Sequence, residues 1–480
     1  MDERLGGIRV EVDDALAQRL AAICPVDAGD QARSDHGRDW WPLAMRWSGE
    51  GAVPALPAVV VRPDDAEQLA AVLSVCSEAR VPVTPAAGRS GVCGGSVPVF
   101  GGVSLDLCGL SGLTEVDDRS LVVVAAAGTN GQALEDELRS EHGLTLGHRP
   151  QSIALSTVGG WLACRSAGQY STRYGKVEDM VAGMQVVLAG GTLIRTGGRA
   201  PRSATGPDLD QLFVGSEGTL GVITEATLRV APVPPAERRA AFGFASFEEG
   251  LDACRRILRR GATPAALRLY DRTESGRSFS VDGRAVLLVL DEAEPRLADA
   301  VLHVVGEECS AAERLDDALV DHWLAHRDDV SALVAVVASG IVGDTCEVAA
   351  RWSALPVLYR SALAALETVP GTIVASAHHS HAYRDGACLY LTFGGWREGD
   401  GAGDAYYVEA WDAVSEAVLA AGGAISHHHG VGLTRARFLR SALGDAFDTL
   451  VAVKAALDPN GIMNPGKLGL PSPWGDPAWP

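Results

Sequence analysis

The spacing of apolar side chains changes repeatedly along the chain, and each change predicts a structural element. Residues 1–55 show no sustained period and predict an irregular segment. The apolar run at 58–61, the helical spacing of apolar residues over 69–76 and a second run at 81–83 predict a strand, a helix and a strand. We therefore expect a βαβ-like unit over residues 58–84.

Strand patterns dominate the next part of the chain and end at a proline-rich stretch. The predicted strands lie at 103–107, 121–127, 184–188, 192–196 and 222–230. The small residues of Ala189-Gly190-Gly191 predict a hairpin between the third and fourth of these strands. The run Pro232-Val233-Pro234-Pro235 then interrupts the pattern, so we expect a domain boundary there.

Beyond this boundary, helical and strand patterns alternate. The predicted helices lie at 247–259, 294–305, 356–367 and around 442–457, and the predicted strands lie at 285–290 and 387–393. Such a mixture is α+β and is typical of a separate substrate domain. The chain is thus expected to divide into an N-terminal segment (1–55), a first domain (56–235), a second domain (236–425) and a C-terminal segment (426–480).

Composition and charge argue against several classes of protein. The 480 residues include 41 Lys and Arg against 61 Asp and Glu, which gives a net charge of −20 and disfavours a nucleic-acid partner. No apolar run reaches the roughly 18 residues of a membrane span, and the acidic N-terminus lacks the apolar core of a signal peptide. The nine cysteines are scattered without a C-x-x-C pair, so we expect a cytoplasmic protein without disulfides or structural zinc.

Three loops rich in glycine and small residues form the first candidate site. We call residues 85–95 the first loop, 150–168 the second loop and 215–226 the third loop. Backbone N–H groups in such loops can surround a phosphate. The first loop does not match the P-loop fingerprint and matches the dinucleotide fingerprint poorly, so by itself it could be an ordinary turn. Together, the three loops indicate a long ligand with more than one phosphate.

Histidine clusters form the second candidate site. Six of the twelve histidines lie in two stretches, at 378–381 and 427–429. Imidazole exchanges protons near neutral pH, so these clusters suggest proton transfer or a metal. On a strand only His427 and His429 would share a side, which makes the triplet alone a poor metal site. A packed or solvated histidine is the alternative for each residue taken singly.

In their order and spacing, the three loops resemble the FAD-binding domain of the vanillyl-alcohol-oxidase (VAO) type of flavoprotein. The strings STVGGW…SAG…YGKVEDMV and ATGPDLDQLFVGSEGTLGVITEATLRV resemble, more narrowly, the alkylglycerone-phosphate synthase family and its bacterial relatives. The resemblance implies an α+β fold of PCMH/VAO type, with an FAD-binding domain and an α+β cap domain that contains an antiparallel sheet. It also implies FAD, a small-molecule substrate and a homodimer.

The resemblance further implies which residues bind FAD. In the family, the first two loops hold the pyrophosphate and the flavin, and the GSEGTLG segment completes the site. The implied residues are Ala86, Ala87, Gly88, Arg89, Ser90, Gly91, Val92, Pro150, Gln151, Ser152, Ser156, Thr157, Gly159, Gly160, Ala163, Cys164, Arg165, Ser166, Gly215, Ser216, Glu217, Gly218, Thr219, Leu220, Gly221 and Ile223.

Two features of these loops need separate expectations. Arg89 departs from the family pattern, which usually has glycine there, and its guanidinium could bind a phosphate or face solvent. No cysteine or histidine in the loops stands in a context typical of covalent flavin attachment. Cys93 and Cys164 are interpreted as small packing residues, so we expect non-covalent FAD.

The catalytic residues are likewise implied by the resemblance. The string SHHHGVG at 426–432 is similar to the histidine motif of the family, and DGACLY at 385–390 is similar to the segment with its catalytic tyrosine. The implied catalytic residues are Tyr390, His427, His428, His429, Arg268 and His381. With an ordinary pKa near 10, Tyr390 would be a base only where its surroundings favour the phenolate, and otherwise an acid. For Arg268, a salt bridge to Asp271 or to a neighbouring residue is the structural alternative.

Two departures from related families shape the expected chemistry. The related 2-hydroxy-acid dehydrogenases carry G-E-H-G and G-D-G-N-x-H at the corresponding places and hold a divalent metal with the additional Glu and His. This chain lacks both, so we expect no catalytic metal. The family arginine that binds an anionic substrate aligns with Leu333, ahead of Asp344-Thr345. A dianion would be poorly paired without that guanidinium, which favours a less anionic substrate.

The resemblance therefore implies an FAD-dependent enzyme that removes a proton next to a carbonyl or hydroxyl carbon. Flavin N5 would then accept either the carbon, as an adduct, or a hydride. One alternative is an oxidase or dehydrogenase of a 2-hydroxy acid or an alcohol. A second is a flavin-binding module without activity, which the presence of Tyr390 and the triplet 427–429 disfavours.

Overall fold

The fold is described from a computed structural model that covers residues 2–198, 200–329, 339–399 and 401–478. Within these ranges, no helix has both the length and the apolar character needed to cross a bilayer. The strands are β1 (Asp2–Glu3), β2 (Val26–Asp27), β3 (Ala52–Val53), β4 (Val59–Val61), β5 (Val83–Ala86), β6 (Val103–Asp106), β7 (Leu113–Asp117), β8 (Val122–Ala126), β9 (Leu144–Thr145), β10 (Val181–Val187), β11 (Leu193–Arg195), β12 (Val222–Arg229), β13 (Ala231–Pro232), β14 (Ala236–Phe244), β15 (Ala266–Tyr270), β16 (Ala285–Ala293), β17 (Glu313–Leu315), β18 (Val342–Arg351), β19 (Thr372–Ala382) and β20 (Gly386–Gly395).

Helices occur in every part of the described chain. They are α1 (Asp14–Ala21), α2 (Asp30–Asp35), α3 (Pro42–Gly49), α4 (Ala66–Ala79), α5 (Gly131–Glu137, continued by a π-helical turn at Leu138–His142), α6 (Val158–Cys164), α7 (Ser171–Tyr174), α8 (Val177–Met180), α9 (Asp210–Phe213), α10 (Phe247–Arg259), α11 (Arg272–Phe279), α12 (Pro295–Glu308), α13 (Ala318–His326), α14 (Leu355–Thr368), α15 (Ala402–Ala420), α16 (Ala436–Leu443) and α17 (Ala446–Leu457).

The N-terminal segment is helical where we expected irregular structure, so that prediction was wrong. Helices α1, α2 and α3 are only six to eight residues long, too short for a convincing period in the sequence. Two buried tryptophans of this segment donate their indole N–H to helix α15: Trp41 to Tyr407 Oη at 2.9 Å and Trp47 to Asp404 Oδ2 at 3.0 Å. These contacts, rather than local propensity, fix α3.

The βαβ-like unit is confirmed, with one shifted boundary. Strands β4 and β5 are both parallel to β6, which lies between them in the sheet β2-β4-β6-β5. Helix α4 ends at Arg80, which is left-handed (φ 53°), and the N–H of Val81 then donates to Cys76 O at 3.0 Å. Because Val81 still takes part in the hydrogen bonds that end the helix, the strand begins at Val83 and not at 81.

The second sheet of the N-terminal half is antiparallel, in the order β11-β10-β12-β8-β7. Strands β10 and β11 pair directly, which confirms the predicted hairpin. After β12 the chain makes the short pair of β13 with β9 and then enters a different sheet at Ala236. The four-part domain division stays a prediction.

The C-terminal half is built on a seven-stranded sheet with the order β17-β14-β16-β15-β19-β20-β18, and every neighbouring pair is antiparallel. Helices α10, α14 and α15 bury their apolar residues in one core with the strands of this sheet. Helix α10 matches its predicted bounds. The predicted helix around 442–457 is two helices, because Gly444 adopts φ 56° and ψ −136° between α16 and α17.

Candidate active site

The hairpin of β19 and β20 supplies one wall of the site. His378 and Tyr390 are register partners on neighbouring strands, and their rings stack with centroids 4.5 Å apart. The register shifts between Ser380 and Ala382, and His381 takes a left-handed conformation there (φ 50°). This irregularity places His381 and Tyr390 with ring centroids 6.3 Å apart. Two of the residues implied as catalytic are thus brought together by strand pairing.

The histidine triplet lies in a bend and not on a strand, so the alternation of side chains that a strand would impose does not apply to it. One oxygen, Glu347 Oε1, accepts the backbone N–H groups of all three histidines at 3.2, 3.1 and 2.8 Å, and also Ser426 Oγ at 2.8 Å. The chain therefore curls around a single carboxylate. As a result, His427 and His428 become neighbours, with their Nδ1 atoms 2.8 Å apart.

The carboxylate at the centre of the bend belongs to a fully buried ion pair. Glu347 and Arg435 each have side chains with no exposed surface, and the guanidinium contacts both carboxylate oxygens. Burial alone would raise the pKa of Glu347, but Arg435 and His429 outweigh it and hold that pKa well below its ordinary value. Sequence reasoning missed Glu347; the available signal was a carboxylate between Cys346 and Val348, in the buried middle of β18.

A continuous chain of hydrogen bonds runs through the site. Tyr390 Oη lies 2.6 Å from His428 Nε2, and Tyr383 Oη lies 2.9 Å from His427 Nε2. The His427–His428 contact joins these two ends. Ser171 Oγ lies 2.8 Å from His381 Nδ1 and 3.5 Å from Tyr383 Oη. Tyr383 and Ser171 were not singled out from the sequence, because a lone tyrosine or serine carries no recognisable pattern.

Burial keeps the groups of this chain uncharged at neutral pH. Desolvation lowers the pKa of His427 to about 4 and that of His428 well below its ordinary value. It also raises the pKa values of Tyr390 and Tyr383 above the ordinary value for tyrosine. The site thus holds neutral imidazoles hydrogen-bonded to protonated phenols.

Arg268 lies behind Tyr390 rather than in an ion pair with Asp271, so the salt-bridge alternative is wrong. Its guanidinium donates to Ser380 Oγ at 2.9 Å and lies 3.1 Å from His378 Nε2. Asp271 instead accepts the backbone N–H of Glu274 at the start of α11. Arg268 thus supports His378, the ring that stacks on Tyr390.

A different group of histidines from the triplet is close enough to share a metal ion. In the described part of the chain, His381, His427 and His428 each place one ring nitrogen within 4.8 Å of the others. The sequence considered only the triplet 427–429 and did not foresee the participation of His381. The absence of a catalytic metal stays a prediction.

The first and second loops contact each other closely and leave donors open for an anion. A Cβ on Gly88 would lie 2.0 Å from Leu155 O, so only glycine allows this approach. Among the described residues, the amides of 88–92 donate no hydrogen bond to any partner. Five consecutive free N–H groups form the kind of concave site that binds phosphate, which fits the expected FAD pyrophosphate.

Several buried polar atoms near the loops have no hydrogen-bond partner among the described residues. Asp39 Oδ2 and Asn464 Oδ1 have none among the described residues, although Asn464 Nδ2 donates to Gly95 O at 2.9 Å. Both ring nitrogens of buried His148 are equally without partners, and its ring packs edge-on against Trp161 at 4.6 Å. Unsatisfied polar groups beside open amides fit a large polar cofactor. Sequence reasoning missed all three residues.

Several of the residues that the resemblance implies for FAD binding also make contacts within the protein. Thr157 caps α6 by accepting the N–H of Gly160, and Arg165, which is left-handed, pairs with Glu178. Arg89 is also left-handed (φ 48°), and its Nη1 lies 3.0 Å from His36 Nε2. Whether these residues contact FAD stays a prediction.

The loops and the histidine segment form one site. Glu217, in the third loop, accepts the N–H groups of Val431 and Gly432 through its carboxylate. A Cβ on Gly432 would lie 2.1 Å from Cys93 O in the first loop. Cys93 is buried here, as a packing residue would be. The turn after the triplet therefore packs on the first and third loops.

Comparison with known proteins identifies the family. A family model described as an FAD binding domain matches residues 57–197, and another, the C-terminal domain of FAD linked oxidases, matches residues 233–468. An FAD-linked oxidoreductase of Escherichia coli O157:H7, YgcU, described as uncharacterized, is 32% identical over 434 residues, covering 86% of this chain and 89% of the relative. This chain belongs to the FAD-linked oxidases.

Two further comparisons bear on the predicted resemblance and fold. The alkyldihydroxyacetonephosphate synthase of Caenorhabditis elegans is 29% identical over 471 residues, covering 87% of this chain and 77% of that protein. A solved structure of an alkyldihydroxyacetonephosphate synthase superposes with a TM-score of 0.78 at 24% identity, covering 97% of this chain and 89% of that one. The predicted resemblance and the two-domain α+β fold of PCMH/VAO type are confirmed. The protein is an FAD-dependent enzyme, and FAD is its cofactor.

The prediction for Leu333, which aligns with the substrate-binding arginine of the family, concerns a residue that lies outside the described residues. The contacts of Asp344, which follows in the same pattern, are described: its carboxylate accepts Tyr407 Oη at 2.5 Å.

Proposed function

We propose that this FAD-linked oxidase removes a proton from a carbon next to a carbonyl or hydroxyl group, as an enzyme of the alkylglycerone-phosphate-synthase-like group. The observation that carries the proposal is the 2.6 Å contact between Tyr390 Oη and His428 Nε2, in a buried cluster joined to the FAD loops. A phenol held by a neutral imidazole can take a proton while passing its own onward.

Bound FAD supplies an N5 atom that accepts either a carbon or a hydride. The open amides of 88–92 would hold its pyrophosphate, and the second and third loops would complete the binding site. Because Cys93 is buried as a packing residue, we propose that FAD binds without a covalent bond. Glu347 and Arg268 position the histidines around Tyr390, and the rings of Tyr390 and His428 exchange the proton.

A second candidate is a dehydrogenase or oxidase of a 2-hydroxy acid or an alcohol. The observation that favours it is the convergence of His381, His427 and His428 as neutral imidazoles, because such groups can accept the hydroxyl proton of an alcohol. The same Tyr390–His428 pair would serve both reactions. The two candidates differ in their substrates and in whether the flavin ends reduced.

The test is a comparison of two reactions of the purified holoenzyme without oxygen. The synthase-like function predicts an ether product from acyl-dihydroxyacetonephosphate and a long-chain alcohol, with the flavin spectrum unchanged at the end. The second candidate predicts bleaching of the flavin by a 2-hydroxy acid or an alcohol. Absence of product and of bleaching across both substrate sets, together with unaltered FAD binding, would support an inactive flavin module instead.

A variant of the central tyrosine tests the site itself. Tyr390→Phe removes only the hydroxyl, so FAD content should stay unchanged while the rate falls about 100-fold or more, as for loss of a general acid or base. Tyr406→Phe is the matched control, because Tyr406 is buried and its hydroxyl contacts Thr372, away from the histidines. Full activity of Tyr390→Phe would contradict the proposal.

The remaining expectations concern the state of the protein. We propose a cytoplasmic protein, because its nine cysteines are scattered along the chain without a C-x-x-C pair. A homodimer is expected from the family resemblance, and light scattering of the purified protein measures its mass in solution.

A further inference from the structure

Four side chains of the site form a single hydrogen-bonded line with two ends. One end is Tyr390, whose ring stacks on that of His378. The other is Tyr383, which lines an open recess of about 270 Å³. The three contacts between them measure 2.6, 2.8 and 2.9 Å. Each of these lengths is short enough for proton transfer along the contact.

All three hydrogen bonds along this line can point in the same direction, from Tyr390 to Tyr383 or the reverse. The two Nδ1 atoms of His427 and His428 can share only one proton, because one must donate and the other accept. If Tyr390 donates to His428 Nε2, then His428 Nδ1–H donates to His427, and His427 Nε2–H donates to Tyr383. If the line is reversed, every donor becomes an acceptor. Both arrangements keep all four groups neutral.

A charge on any of these four side chains would be energetically unfavourable. Burial disfavours imidazolium at His427 and His428 and phenolate at Tyr383 and Tyr390. A proton taken up at Tyr390 therefore has to leave, or the buried site would carry a charge. A transfer that shifts one proton at each contact avoids this cost, because no group is charged before or after it.

We propose that Tyr390, His428, His427 and Tyr383 form a proton relay that carries the substrate proton from the buried site to the recess. This inference rests on the proposed function, since it supplies the route by which the abstracted proton leaves. Tyr383 is assigned as a positioning and relay residue, because it acts on the reaction only through His427.

The transfer balances atom by atom. The substrate proton moves to Tyr390 Oη, and the former hydroxyl proton of Tyr390 moves to His428 Nε2. The Nδ1 proton of His428 moves to His427 Nδ1, and the Nε2 proton of His427 moves to Tyr383 Oη. The former proton of Tyr383 passes to water in the recess. The electron pair stays on the substrate, and the relay ends reversed and uncharged.

The recess gives the Tyr383 end of the line an opening toward solvent. It is formed by residues on both sides of the boundary at 232–235, including Ser171, Lys176 and Arg384. The ammonium of Lys176 lies 4.7 Å from the centre of the Tyr383 ring and holds that ring in place from the recess side. The backbone of Tyr383 is fixed separately, since its N–H donates to Gly386 O and its carbonyl accepts Trp352 Nε1.

Because these backbone contacts do not involve the hydroxyl, Tyr383→Phe should fold and bind FAD as the parent does. We expect its proton-dependent rate to fall at least about 10-fold, with a changed solvent deuterium isotope effect. Tyr406→Phe, also a buried tyrosine, should keep the parent rate and isotope effect. An unchanged rate and isotope effect in Tyr383→Phe would overturn the relay.

A second measurement needs no turnover. Ring ¹⁵N shifts of labelled histidine in the FAD-loaded protein report the tautomer of each imidazole. We expect neutral His427 and His428 near pH 7, and Tyr383→Phe should shift the ring signals of His427 while leaving those of distant His36 in place. An imidazolium at either relay histidine, or unmoved His427 signals, would overturn the relay. If these signals behave as expected but no substrate is turned over, the proposed function fails and the relay geometry stands.

Discussion

Glu347 is the residue whose loss should damage the site most, because it organises the histidine bend and compensates a buried cation. In Glu347→Ala, one oxygen with five hydrogen-bond donors disappears: four from residues 426–429 and one from Arg435. The Arg435 guanidinium, which has no exposed surface, is left without its counter-charge.

The expected cost follows from this burial. Removing one partner of a buried ion pair destabilises proteins by about 3–5 kcal/mol, a large share of the roughly 5–15 kcal/mol that keeps a typical protein folded. Glu225→Ala is the matched control: it removes the partner of Arg195, which is 56% exposed, and should cost no more than about 1 kcal/mol.

Urea titration followed by tryptophan fluorescence of the FAD-loaded variants measures these costs. The double variant Glu347→Gln/Arg435→Met removes both charges and keeps an oxygen for the bend, so it should be more stable than Glu347→Gln alone. A loss below about 1 kcal/mol in Glu347→Ala would refute the reasoning, since it would place this pair in the range of exposed ones. So would a double variant as unstable as the sum of its two single changes.

The other predictions concern the cofactor, metal content and pH. After acid precipitation, flavin absorbance should stay in the supernatant; colour in the pellet would mean covalent attachment. Elemental analysis of the active holoenzyme should find substoichiometric metal, and chelator treatment should leave the rate unchanged; a stoichiometric metal lost together with activity would place an ion at His381, His427 and His428. Burial lowers the pKa of His379 to about 3 from its ordinary 6.5, so the unfolded chain binds the proton first on acidification. Stability should therefore fall between pH 6.5 and about 3, by up to about 1.4 kcal/mol per pH unit from this residue, and His379→Phe should flatten that slope in urea titrations.

The long elements and the motif-bearing residues could be predicted from the sequence. Helix α10 has a clear period and both of its ends were predicted, and the hairpin of β10 and β11 followed from its glycines. Tyr390 and the histidine triplet were recognised because their segments resemble motifs of a known family. In each case the information lay within a few consecutive residues.

The sequence could not show relations between distant residues. The bend at 427–429 depends on Glu347, some eighty residues away, because that carboxylate accepts three amides at once. Tyr383 likewise becomes informative only when its hydroxyl is seen 2.9 Å from His427. Helix α3 is held by tryptophan contacts to α15 that no local period encodes.

The site separates the task of holding residues in place from the task of moving a proton. Charged groups hold the residues in place, since Glu347 with Arg435 fixes the bend and Arg268 contacts His378, whose ring stacks on Tyr390. The groups that exchange the proton are neutral, and burial keeps them so. A charge fixed on the relay would attract or repel the moving proton and stop it there, whereas the ion pair beside the bend is already neutral overall. A protein with a net charge of −20 can therefore transfer a proton in its interior, because the buried carboxylate that fixes the bend, Glu347, is paired with the cation Arg435.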